Sequence, residues 1–226
     1  MATPPTTPAG TEDCLYCVPA LAGICHAGKM RPVEIVDYDP SWPGQFVAER
    51  DALLTLLGDL VDGVHHIGST SVPGLAAKPK IDMDVVLRAD HLISAAIEHV
   101  RATGAWDYHG DPHGEGRWTF TRGRSRGIRL YLCGPGNNAH IDRMLFRDRL
   151  RANPDDAAAY EALKHHLAVE ANGDWDFYTG GKSDFVAEIV RKASDVRAAP
   201  HLPADILSPW DGERRKAAAS AIKHQR

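Results

Sequence analysis

Residues 66–86 read His66-Ile67-Gly68-Ser69-Thr70-Ser71-Val72-Pro73-Gly74-Leu75-Ala76-Ala77-Lys78-Pro79-Lys80-Ile81-Asp82-Met83-Asp84-Val85-Val86. Val64 to Ile67 is a short apolar-rich run ending at a glycine, and it predicts a strand that stops at a Gly-Ser turn. Ile81 to Leu87 predicts a second strand, the clearest in the chain. Ile81, Met83 and Val85 point to one face, and Asp82, Asp84 and Val86 to the other. Gly68 lets backbone approach a ligand closely, Ser69 adds a hydroxyl, and N–H groups in such a turn can cradle phosphate oxygens. Two carboxylates on one strand face repel unless a cation lies between them. Asp82 and Asp84 are therefore candidate Mg²⁺ ligands, the metal sharing substrate phosphates. Asp-x-Asp on a solvated strand face is the alternative; the Gly-Ser turn at this distance favours a site.

Outward from this stretch, Val33–Val36 suggests an edge strand, and Asp39-Pro40-Ser41-Trp42-Pro43 launches a helix through Phe46, Leu53, Leu57 and Leu60. Downstream, 90–103 predicts an amphipathic helix stopped by Gly104. Strands follow over 117–122 and 128–133, joined as a hairpin and preceded by a Gly-rich loop over 110–116. From Ala139 the pattern is helical over about 139–151, 155–171 and 183–194, with Asn153-Pro154 as a break. Strands with helices between, a hairpin and a helical tail predict an α+β domain with a small mixed β-sheet. Residues 1–30, rich in Pro, Thr, Ala and Gly, read as a flexible extension, and Met30 is a natural beginning for the folded part. Residues 196–226 read as a Pro-rich tail with a short basic helix.

The chain has 226 residues, 43% of them hydrophobic, enough for one packed domain. Its net charge of −4 gives no global basic field for nucleic acid. No apolar run approaches the roughly 20 residues of a membrane helix, and no signal-like segment opens the chain, so a cytoplasmic protein is expected.

Three segments and the 66–82 stretch together resemble the signature of the GrpB-like family: Tyr38-Asp39-Pro40-Ser41-Trp42-Pro43, Leu145-Phe146-Arg147-Asp148-Arg149-Leu150-Arg151, and Lys182 with Ser183-Asp184-Phe185. The resemblance spans about residues 31–194 and implies a nucleotidyltransferase-like fold. In that fold a Gly-Ser element binds nucleotide phosphates, a carboxylate pair on the next strand binds metal, and a third carboxylate comes from a later strand. Gly68, Ser69 and Asp82 match. Asp84 stands where a second carboxylate would sit, a position that varies in the family. The later strand reads Ile128-Arg129-Leu130-Tyr131-Leu132 and offers no carboxylate; many relatives carry histidines around Arg129 and Tyr131. Lys80 stands where an apolar residue is common. GrpB-like domains also occur fused to dephospho-CoA kinases, which implies an accessory or folding role as an alternative.

The expected function is metal-dependent nucleotidyl or related group transfer to a small-molecule acceptor. Asp82 and Asp84 are the expected catalytic and Mg²⁺-binding residues. Gly68, Ser69, Thr70, Ser71, Lys78, Lys80, Arg117, Arg129 and Tyr131 are the expected binders of a nucleotide or other phosphorylated small molecule. The alternatives are a non-catalytic binding module and a divergent enzyme reusing the pocket.

Other groupings read more plainly. Arg124 and Arg126 belong to a solvated hairpin tip. His109, Asp111, His113 and Glu115 sit in a flap-like loop and read as flap residues rather than metal ligands. One of His65 and His66 points inward to fix the turn. Cys14, Cys17, Cys25 and His26 are potential zinc ligands, but the adjacent second pair is poor geometry for one tetrahedral site, so they read as incidental thiols on a tail. Cys133, in an apolar run, reads as a buried thiol.

Overall fold

Alternation along 80–87 builds the centre of the molecule. The computed structural model describes residues 32–123 and 126–198. In it β2 (Lys80–Leu87) lies between β1 (Val61–Ile67), which pairs with it antiparallel, and β5 (Gly127–Cys133), which pairs parallel. β4 (Arg117–Arg122) and β3 (Asp107–Gly110) extend the sheet antiparallel, giving the order β1-β2-β5-β4-β3. A parallel pair needs a long crossover. Here it runs through α2 (Ile93–Ala102) and the β3–β4 hairpin.

The two faces of β2 meet different layers. Met83, Val85 and Leu87 are fully buried with Phe120, Leu130 and Leu132, against Leu53 and Leu57 of α1 (Trp42–Leu57) and Ala96 and Val100 of α2. A second apolar cluster joins α3 (Asn138–Ala152), α4 (Pro154–Glu170) and α6 (Ser183–Ala198) through Phe146, Leu150, Tyr160 and Ile189, and takes in Val72 and Leu75 of the loop after β1. Local chemistry sets the helix starts. The Asn137 side chain accepts from the backbone N–H of His140 at 3.0 Å, and Asp174 accepts from Asp176 and Phe177 to begin α5 (Trp175–Gly180). Pro154 opens α4 with Asp155 and Asp156 in its first turn, favourable beside the positive helix end.

The α+β expectation holds, with a five-stranded mixed sheet. Four details differ. Val33–Val36 forms only a single bridge, Val36 to Ala77. α1 stops at Leu57, and 58–60 continues as a 3₁₀ turn. β1 begins at Val61, absorbing Gly63 at a bulge. β3 and α5 were not expected. The expectations for residues 1–30 and for 199–226 lie outside the described residues. No described helix is long and apolar enough to cross a membrane.

Candidate functional site

The turn after β1 is shaped by one glycine. Gly68 has φ +70° and ψ −176°, a region essentially reserved for glycine. A Cβ there would lie 2.9 Å from Asp82 Oδ2. The missing side chain thus lets the turn rest directly on the first aspartate. Ser71 Oγ donates to the Gly68 carbonyl at 2.5 Å, and Thr70 Oγ1 donates to the Lys80 carbonyl at 3.2 Å. Thr70 and Ser71 are buried, and their hydroxyls fasten the turn. His66 is the inward histidine. Its ring stacks on Phe46 at 4.7 Å, and Nε2 lies 3.0 Å from Thr70 Oγ1. Burial pushes its pKa down to about 3, helped by Arg151 and Arg147 nearby, so the ring is neutral at neutral pH. Thr70's one proton goes to Lys80, which assigns the ring proton to Nε2.

The back of the 68–77 loop is held by the helical layer. Arg147 donates to the His66 carbonyl at 2.9 Å, and Arg151 to the Ser71 carbonyl at 3.0 and 2.6 Å. Glu161 accepts from the Ala76 N–H at 2.7 Å, and Lys164 donates to the Ala76 carbonyl. Such charge-assisted bonds pin the end of β1 and the loop backbone from the helical side.

The sheet face beneath α3 carries two rows of side chains set by register. One runs Ile67–Asp82–Arg129–Thr121, the other His65–Asp84–Tyr131–Thr119. Asp82 and Asp84 share this face, as alternation demands, but their surroundings differ. Asp84 is fully buried. Arg143 of α3 binds it through two bonds, Nε to Oδ2 at 3.0 Å and Nη2 to Oδ1 at 2.9 Å, and His140 Nδ1 lies 2.8 Å from Oδ2. Asp82 keeps a buried Oδ1 with no hydrogen-bond partner, although Arg129 Nη1 stands 3.9 Å away. Tyr131 is flanked by the guanidinium groups of Arg117 and Arg143, each 4.8 Å from its ring centre, and burial raises its pKa. Arg117 is paired with Glu115 at 2.9 Å and lies two registers from Asp82, so it borders the site rather than facing that carboxylate.

Around Asp82 the dominant charge is positive. Lys78 and Lys182 approach the Tyr178 ring from different segments, their Nζ atoms 4.8 and 3.9 Å from its centre. Burial, followed by Lys78 and Lys164, pushes Lys182 down to about 7. Burial, followed by Arg129, pushes Lys78 down to about 8 and also lowers Lys80. Burial takes Lys164 to about 8. Asp82 is the carboxylate that opposes these shifts at Lys78, Lys80 and Lys182. The Ser69 side chain hydrogen-bonds Tyr160, which closes the wall on the α4 side. Lys182, Lys164, His140, Arg143 and Tyr160 were not expected as site residues. Only Lys182 carried a signal, as part of the 182–185 motif.

The expected two-carboxylate metal site does not fit this geometry. Both oxygens of Asp84 are engaged by Arg143, Asp82 has Arg129 3.9 Å away, and among the described residues no three His, Cys, Asp or Glu side chains are grouped to hold a metal ion. The 110–116 loop is a structured turn, its Asp111 carboxylate accepting from the N–H groups of Glu115 and Gly116 at 3.2 and 2.7 Å. His109 Nε2 lies 2.8 Å from Thr121 Oγ1. Arg126 pairs with Glu34 at 3.3 Å. Arg124 and the Cys14–His26 group lie outside the described residues. Cys133 is a buried free thiol, as expected. A cleft of about 830 Å³ opens elsewhere, between the 114–116 turn and the start of α3.

A family described as GrpB protein matches residues 32–192, and the chain belongs to that family. It is 35% identical over 171 residues to UPF0157 protein YqkA of Bacillus subtilis, a match covering 74% of this chain and 48% of YqkA. It is similar to a dephospho-CoA kinase of Mycolicibacterium paratuberculosis, 31% identical over 192 residues, covering 73% of this chain and 46% of that protein. The chain thus spans about half the length of these two relatives. Its fold is shared with the crystal structure of GrpB from Enterococcus faecalis (TM-score 0.67, 30% identity, 74% of this chain and 100% of that one). A fainter likeness, TM-score 0.48 at 10% identity, covers 77% of this chain and 72% of the matched chain in the GLD-2/RNP-8 complex. That likeness is too slight to carry an argument.

Proposed function

We propose that the basic sheet face in front of Gly68 binds the phosphate groups of a nucleotide or other phosphorylated small molecule, and that the protein is a nucleotidyltransferase-like group-transfer enzyme. One observation carries the proposal. Lys78 and Lys182 converge on the Tyr178 ring, Lys80 shares a strand face with Asp82, and Arg129 stands 3.9 Å from that carboxylate, so basic groups from the loop, two strands and the start of α6 gather at a glycine-built turn. Lysines with depressed pKa values are ammoniums short of counter-charge, and an anion with several oxygens repays their desolvation.

Asp82 is the group placed for chemistry. Its carboxylate, partly exposed, can accept the proton of an acceptor hydroxyl or amine as that atom attacks phosphorus. The new bond to phosphorus forms as the bond to the leaving phosphate breaks, and the lysines meet the charge growing on the leaving group. No step is routed through a metal. Gly68 and Ser69 supply the turn, and Arg147 and Arg151 keep it from shifting.

A second reading, a binding or accessory module without chemistry, draws on the closed state of Asp84 and on the relative named as a dephospho-CoA kinase. Titration with nucleoside triphosphates, followed by an assay for released pyrophosphate with a pool of acceptors, separates the two. Transfer predicts saturable binding and pyrophosphate release abolished by Asp82→Asn. Binding without release favours the module, and no binding at all removes the phosphate pocket.

A further inference from the structure

Asp84 is the most deeply buried carboxylate of the site, and both of its oxygens are bound by the Arg143 guanidinium. Arg143 grips them with two bonds of 3.0 and 2.9 Å, and His140 adds a third contact at 2.8 Å. The guanidinium is itself backed by the Tyr131 ring at 4.8 Å. Arg143 therefore already holds both oxygens of the second strand carboxylate. It is attached to α3, which the apolar cluster of Phe146 and Leu150 fixes against the rest of the helical layer.

We propose that this pocket takes its polyphosphate bare of divalent cation, with Lys78, Lys80, Lys182 and Arg129 meeting the phosphate charge and Arg143 acting as the fixed cation on Asp84; the inference rests on the phosphate-handling reading above. Magnesium asks for several oxygen ligands in near-octahedral array. Here Asp84 has no free oxygen, and Asp82 has one without a hydrogen-bond partner, with Arg129 3.9 Å away. Arg129 also stands 3.9 Å from Asp82, Lys80 shares its strand face, and Lys78 and Lys182 converge on the nearby Tyr178 ring. Adding a dication would raise a surplus of positive charge, whereas adding a polyanion lowers it. A magnesium ion riding on the polyphosphate would cancel part of the charge that the lysines are placed to meet.

The wild-type chain tests this directly, so no variant has to fold. Tripolyphosphate, and separately ATP, is titrated calorimetrically into the protein in EDTA and again in excess magnesium. Saturable binding in EDTA, at least as tight as in magnesium, is expected. Lys182→Met should weaken the EDTA affinity about tenfold, the scale of one charge-assisted contact. Binding that requires magnesium overturns the inference and leaves the phosphate pocket standing. Absence of binding under both conditions overturns both. Manganese provides an independent readout by water-proton relaxation of the protein without nucleotide. No enhancement is expected, and an enhancement lost in Asp82→Asn overturns the inference.

Discussion

At the scale of single residues, Gly68 carries the heaviest constraint. Its backbone lies where a Cβ is strained, and that Cβ would press on Asp82 from 2.9 Å. Gly68→Ala should therefore cost about 1–3 kcal/mol in urea unfolding and weaken anion binding together, because the turn must lift off the carboxylate. His66 gives a pH signature. The unfolded chain protonates near 6.5 but the folded chain not until about 3. In that window the unfolded state binds more protons, so stability falls as pH drops, by at most about 1.4 kcal/mol per pH unit. Denaturation curves across the window should show this slope in wild type and a flatter one in His66→Phe. Gly68 and Asp82 were legible in the sequence because a turn feeding an alternating strand fixes their relation locally. The fate of Asp84 was not. Its partners His140 and Arg143 lie 56 and 59 positions away, on a helix whose own pattern says only that it is amphipathic.

Between elements, the Asp84–Arg143 pair rivets β2 to α3 through buried charge. Removing one partner strands the other, so Asp84→Leu or Arg143→Met should each cost about 3–5 kcal/mol. The double replacement Asp84→Leu with Arg143→Met should cost less than either single change, as measured by a double-mutant cycle in denaturant. Full additivity would mean that the pair is not coupled in solution. Secondary structure was readable where periodicity ran long, as in α2, β2 and α6. It was hidden where elements are short or irregular: α5 has six residues, and β3 is a polar four-residue strand with a bulge before Gly110.

Across the whole molecule, the sheet supplies Asp82 and Arg129, the loop supplies Lys78, and the helical layer supplies Lys182, so the site exists only when the layers are assembled. The lysines should make binding pH-dependent. Lys182 and Lys78 lose protons near 7 and 8 in the free protein, and a bound anion raises those values. Binding near neutral pH should thus take up protons, seen as a heat that varies with buffer ionisation, and affinity should fall as pH rises above 8. The same buried amine burdens the fold. Between about 7 and 10.5 the unfolded chain holds Lys182's proton more readily than the folded one, so its ammonium opposes folding at neutral pH. Thermal unfolding of wild type and Lys182→Met at pH 7, with and without tripolyphosphate, puts the central claim to the test. A polyphosphate pocket predicts that the anion raises the wild-type midpoint, by about 2.7 kcal/mol of stabilisation at one hundred times its Kd. It also predicts that Lys182→Met is at least as stable without ligand and, binding about tenfold more weakly, gains only about half as much from the same anion concentration. A wild-type midpoint indifferent to tripolyphosphate, or an equal rise in the variant, would contradict the account.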